Sequence, residues 1–202
     1  MNLKQIFLAA LALASLGGCG IAVIGAGVGA AVLSVEDRRT TGIQIEDERI
    51  ELVAVNRIGD RYGDKVHVNV TSFSRQVLLT GEVPDEAAKA EIARIVTGVS
   101  NVREVFNELQ VAGISSLGAR SNDAFLTSKV KARFVDSKLF SAVHVKVVTE
   151  ASTVYLLGLV TEKEATDATE IARTTGGVRK VVKIFQYCRP DEDACRPRQP
   201  PK

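Results

Sequence analysis

Histidine, tryptophan and methionine are scarce in this 202-residue chain, which holds two, none and one of them. With only His67 and His144 there is little room for a His-rich metal site or a conventional Ser-His-Asp triad, so no catalytic residue, metal or cofactor is expected. Charge of one sign is lacking too: 26 Lys+Arg stand against 24 Asp+Glu, a net +2. That balance argues against a protein that grips nucleic acid along its whole face. The most apolar leading run, Ile6 to Leu16, is too short to span a bilayer core of ~30 Å. Proline is nearly absent from the body, because Pro190, Pro197, Pro200 and Pro201 are four of the five. What remains, 46% hydrophobic and 25% charged, is ordinary globular material long enough for one or two small domains.

The N-terminus reads as an address. Lys4 supplies a positive start, Ile6 to Leu16 an apolar stretch, and residues 1–18 together have the layout of a secretory signal that is removed. Leu16-Gly17-Gly18-Cys19 resembles the bacterial lipobox, Leu-x-Gly-Cys, with Gly17 where Ala or Ser is commoner. The alternative is a plain secreted protein with a chance cysteine. The resemblance implies diacylglycerol on the Cys19 sulfur and an acyl chain such as palmitate on its amine, and several chains together anchor stably where one does not. Gly20 is not the Asp associated with inner-membrane retention, which favours the outer membrane.

Residues 19–45 are expected to be the tether. Within them Gly25-x-Gly27-x-x-Ala30, with Glu46 about twenty residues on, mimics a dinucleotide-binding loop. That reading fails on context. Its strand would begin two residues after the anchoring cysteine, and Arg38-Arg39-Thr40-Thr41-Gly42 interrupts the helix that should follow.

An internal repeat decides the architecture. His67-Val68-Asn69-Val70 recurs as His144-Val145-Lys146-Val147, and Val77 to Val83 recurs as Val154 to Val160. Ile92-Ala93-Arg94 then matches Ile171-Ala172-Arg173, Gly98-Val99 matches Gly177-Val178, and Val102 to Phe106 matches Val181 to Phe185. Each copy reads as a helix (about 47–58 and 122–137), two alternating strands, a second helix (about 85–97 and 162–175) and a last strand (about 101–111 and 178–188). Thr161-x-x-Glu164 is a capping box, and Gly98 and Gly176-Gly177 stand where a helix end wants a left-handed residue. The expected fold is therefore α+β: two tandem αββαβ domains, each a small mixed three-stranded sheet with helices packed on one face. The boundaries are 46–111 and 121–188, with a linker at 112–120 and a Pro-rich tail at 189–202.

The αββαβ order, the apolar strand ending in Gly81 or Gly158 and the later Gly-Val pair resemble the BON domain of bacterial envelope proteins. A lipobox followed by two such domains, with Ser121-Asn122-Asp123 opening the second one's helix, is similar to the family's outer-membrane lipoproteins. The similarity runs over about 19–188 and departs after Tyr187. It implies a non-enzymatic protein anchored in the outer membrane and facing the periplasm, one that supports envelope integrity and for which phospholipid binding is an expectation.

The two first helices differ in charge. Residues 46–58 hold Glu46, Asp47, Glu48 and Glu51 against Arg49 and Arg57, whereas 121–138 hold Lys129, Lys131, Arg133 and Lys138 against Asp123 and Asp136. Helical spacing puts Leu126, Val130 and Phe134 on a core stripe, and Phe125, Lys129, Ala132 and Val135 on the opposite side. Aromatic and aliphatic side chains among lysines suit an anionic lipid surface. Phe125, Lys129, Lys131, Arg133, Val135, Lys138, Leu139 and Phe140 are the expected lipid-binding set, with Leu139 and Phe140 inserting at the helix end. The rival readings are a domain-domain face or a docking face for an envelope-assembly or cell-wall enzyme.

His67 and His144 share a repeat position and should point away from the valine face toward solvent; a fold position explains them better than a metal pair. Gly81 and Gly158 are expected as structural glycines for close helix-strand packing or a strand bend. Glu162, Glu164, Asp167 and Glu170 read as a solvated helix face. Cys188 and Cys195, with six residues between them in an exported tail, are expected to form a short disulfide; mixed disulfides or free thiols are the alternatives. The tail beyond Cys195 is expected to be disordered.

Overall fold

The computed structural model describes residues 37–192 and Cys195. The signal, the lipobox with Cys19, the dinucleotide-like glycines and most of the proline tail lie outside that range. The first unit runs α1 (Thr41–Tyr62), β1 (His67–Phe73), β2 (Gln76–Val83), α2 (Glu86–Thr97), β3 (Glu104–Asn107) and β4 (Gln110–Val111). The second runs α3 (Leu117–Ser137), β5 (Val145–Glu150), β6 (Thr153–Val160), α4 (Glu162–Arg173) and β7 (Lys180–Tyr187). In each, the second strand is central, antiparallel to the first and parallel to the last, so both are αββαβ units with a mixed sheet.

Both first helices begin earlier than apolar spacing indicates. The Thr40 hydroxyl accepts from the amide of Ile43, and the Ser116 hydroxyl accepts from that of Ala119. These caps satisfy orphan N–H groups and draw residues 41–45 and 117–120 into helix, shortening the expected tether and linker. The buried ladders then match position for position: Asp47, Ile50, Ala54 and Ile58 in α1, and Asp123, Leu126, Val130 and Phe134 in α3. Ser121-Asn122-Asp123 therefore sits inside α3 and does not open it. At the start of α4, Thr161 and Glu164 form the expected capping box.

The aspartates at the head of each ladder close the hairpins. Ser74 and Arg75, and Ala151 and Ser152, carry positive φ at both turn positions, a conformation that suits glycine or asparagine. Asp47 accepts from the amides of Ser74 (2.8 Å) and Arg75 (2.7 Å) and from the Ser72 hydroxyl. Asp123 accepts from the amides of Ala151 and Ser152, both at 2.9 Å. A buried carboxylate thus offsets turn strain that would otherwise need glycine.

Gly81 and Gly158 serve strand against strand, not helix against strand. A Cβ on Gly81 would lie 2.0 Å from the carbonyl oxygen of His67, and one on Gly158 2.5 Å from that of His144; only Gly81 also has positive φ. Gly98 ends α2 with φ −78°, and the left-handed residue there is Asn101. In the second unit Gly177 takes that conformation and abuts Leu126. The last strand of the first unit, expected as one piece, breaks into β3 and β4 because Leu109 turns into the core.

Each unit has its own core between helices and sheet. A third core joins the two faces that carry no helix: Phe73 and Leu78, with Phe106, pack on Tyr155, Leu157 and Ile184. The units therefore stack sheet to sheet. Polar bridges rim this contact: Asn69 Nδ2 to Glu150 (2.9 Å), Lys146 Nζ to Glu51 (2.9 Å) and Gln186 Nε2 to Gln76 Oε1 (2.7 Å). Burial, with the Glu108 carboxylate beside it, pushes the Tyr155 hydroxyl up to about 12, so it stays neutral within the interface. Ahead of α1 the arginines divide between the units. Arg38 pairs with Glu164, while Arg39 pairs with Asp47 and stacks on the Phe73 ring.

Candidate functional site

The outer face of α3 exposes apolar side chains beside basic ones. Leu126, Val130 and Phe134 turn inward, which forces Phe125 (65% exposed), Val135 (62%) and Leu139 (54%), just beyond the helix end, outward. Lys129, Lys131 and Lys138 are exposed beside them, against the exposed Asp136. Lys129 Nζ also donates to the carbonyl of Gly176 at 3.0 Å, which holds its charge near the end of α4.

Two of the expected lipid-binding residues face inward. Arg133 donates to the carbonyl of Ile171 and to the hydroxyls of Thr174 and Thr175, closing the C-terminus of α4, where free carbonyls attract a cation. Phe140 packs edge-on against Phe134, with ring centroids 5.1 Å apart, and borders the second core. Helical spacing could not show this. Arg133 is drawn in by a helix end distant in sequence, and Phe140 lies past the point where α3 stops.

Part of the acidic charge of α1 is paired within the fold, while Glu48 and Asp60 stay exposed. Asp47 closes the hairpin, Glu51 binds Lys146 and the amide of Ser72, and Glu46 binds Arg49 and Asn101. α1 also exposes the apolar Ile45, Leu52 and Val55, next to the exposed Arg49, Arg57 and Arg61. No cluster of exposed lysines accompanies them on α1.

Both histidines are largely buried, with side chains 17% and 13% exposed. His144 precedes β5 in a short 3-10 turn, and its Nδ1 lies 3.4 Å from Glu164, which also takes a two-pronged contact from Arg38. Burial opposes that charge, but the hydrogen bonds from His144, Arg38 and the amide of Thr161 win and hold the Glu164 carboxyl well below the usual range. Glu164 is thus not part of a solvated face. His67 Nδ1 lies 2.9 Å from Glu82 Oε2, which also accepts from the amide of Ser115. Glu150, from the other unit, completes a group whose ligand-type atoms all lie within 4.8 Å of one another. Burial, and next to it the charge of Glu82, push the Glu150 carboxyl up, against the Asn69 donor. His67 and Glu150 also line an open cleft of about 600 Å³ where the units meet, together with Arg120 and Asp123. Residue order holds no hint of this grouping, because Glu150 arrives only through the sheet-to-sheet contact.

The structure joins Cys188 to Cys195 by a disulfide just past β7, closing a loop of separation seven.

Comparison with known proteins follows the same division. The family profile of the BON domain matches residues 47–113 and again 122–189. The chain is 42% identical over 173 residues to Outer membrane lipoprotein DolP of Haemophilus influenzae, covering 84% of this chain and 89% of that protein. It is 32% identical over 153 residues to a 21 kDa hemolysin of Actinobacillus pleuropneumoniae, covering 75% and 79%. Among solved structures, the C-terminal domain of CdsD, a structural protein of the type III secretion system of Chlamydia trachomatis, is similar at TM-score 0.30 and 11% identity, over 67% of this chain and 96% of that one.

Proposed function

Because the chain belongs to the BON-domain family, we propose that its second domain reads anionic phospholipid through α3 and that the protein supports envelope integrity by holding to such a membrane. The chain is an outer-membrane lipoprotein of this family, and the family points to a non-catalytic envelope protein. The proposed anchor is Cys19, with the folded body in the periplasm. One observation carries the lipid reading: Phe125, Val135 and Leu139 stand exposed among Lys129, Lys131 and Lys138. Each lysine near an anionic surface contributes about 1 kcal/mol, screened by salt. Tethering makes this second contact intramolecular, so a weak face suffices.

The test is co-sedimentation of the chain from residue 20, which carries no acyl chain, with neutral and phosphatidylglycerol-containing vesicles. Binding to the anionic vesicles alone, weakened at high salt, is the expected outcome. Equal recovery with both, or none with either, defeats the lipid reading. The second reading is a protein-binding adaptor for an envelope-assembly or cell-wall enzyme, and the exposed Ile45, Leu52 and Val55 on α1 favour it as a separate docking face.

A further inference from the structure

The polar group at the junction of the two domains has the composition of a metal site. His67 and Glu82 come from neighbouring strands of the first sheet, where they are cross-strand partners. Glu150 comes from the end of β5 in the second. Glu82 and Glu150 are buried, and the His67 imidazole is largely so. Two buried carboxylates beside one imidazole are costly to keep charged together in a poorly solvated place, a cost that a proton or a bound cation relieves. A second observation points the same way. Thr80, one position along β2 from Gly81 and on the same sheet face as Glu82, is 1% exposed and its Oγ1 has no hydrogen-bond partner.

We propose that His67, Glu82 and Glu150 hold a divalent cation of the zinc class that clamps the two BON domains together. An imidazole with two carboxylates suits zinc better than calcium, which takes six to eight oxygens. Ligand atoms around a tetrahedral zinc sit about 3.4 Å apart. The observed group, within 4.8 Å throughout and with His67 Nδ1 2.9 Å from Glu82 Oε2, needs only side-chain adjustment to match. The metal would take the place of the hydrogen bond between His67 Nδ1 and Glu82, with the ring's proton carried on Nε2. The cleft lined by His67 and Glu150 gives an entry path and room for a water as fourth ligand. Because the ligands come from both domains, the cation binds only the stacked arrangement and stabilises it by mass action.

The test uses the full chain in detergent, stripped with a chelator and titrated with Zn²⁺ by calorimetry, with Mg²⁺ alongside. One equivalent of Zn²⁺ should bind and raise the melting temperature, and Mg²⁺ should bind at least tenfold more weakly. Glu150→Gln and His67→Gln should each weaken Zn²⁺ at least tenfold. No Zn²⁺ binding by the unaltered chain, or unchanged binding in both variants, overturns the proposal. A measurement on the unaltered chain guards against variants that fail to fold. Paramagnetic Co²⁺ should broaden the ring resonances of His67 and leave those of His144 sharp, and the reverse pattern overturns the assignment.

Discussion

The two domains carry the same backbone and the same inner ladder, yet their first helices present different chemistry to the outside. In α1 two acidic groups turn inward, Asp47 onto its hairpin and Glu51 onto Lys146 of the other domain, while Glu46 pairs with Arg49 at the surface and Glu48 and Asp60 stay exposed. In α3 Asp123 and Arg133 turn inward, and three lysines stay outside beside Phe125 and Val135. Duplication supplies two copies of a stable fold. One copy can then commit its polar side chains to the domain-domain contact while the other keeps its cations for a surface.

The glycine pair offers the harshest test of that shared backbone. Gly81→Ala should cost about 4 kcal/mol or prevent folding, since it meets a backbone carbonyl at 2.0 Å with φ +114°; Gly158→Ala should cost about 2.5 kcal/mol, measured by denaturant unfolding. Equal costs would show that the two strand crossings are equivalent after all. Next comes the outer face. Phe125→Ala with Lys131→Glu should weaken binding to anionic vesicles at least a hundredfold, about 3 kcal/mol, at unchanged melting temperature. Leu52→Ala on α1 should leave that binding intact, and a matching loss would make both helices lipid faces.

The hairpin aspartates should separate by less. Asp47→Ala should cost about 2.5 kcal/mol and Asp123→Ala about 1.5 kcal/mol, because Asp47 also holds the Ser72 hydroxyl and Arg39. The smallest effect concerns pH. The Glu164 carboxyl is held below its unfolded value of about 4.3, so its stabilisation is whole above that pH and fades as pH falls toward the folded value. Glu164→Gln should flatten this acid limb in a melting-temperature series below pH 4.5. An unchanged limb would place the acid sensitivity in the first domain.

Much of the fold was legible because it rests on local rules. The recurrence of the apolar run Val77 to Val83 as Val154 to Val160 marked the central strands, and Thr161-x-x-Glu164 marked a helix start. Helix starts at Thr40 and Ser116 were missed because the residues after each cap carry no apolar period. Of the candidate face, Phe125 and Val135 were legible from their offset to Leu126, Val130 and Phe134. The inward turn of Arg133 and Phe140 was not, since their partners belong to another helix or to a loop.

By itself the sequence determined two αββαβ units, their central strands and the outward side of α3, because repeats, alternation and helical period act over neighbouring residues. Only the tertiary structure decided that the bare sheet faces stack, that Glu164 gathers Arg38 and His144, and that Glu150 meets His67 and Glu82. Those pairings join residues far apart in the chain, and a central strand apolar on both faces reads the same whether its second face meets solvent, a helix or another sheet.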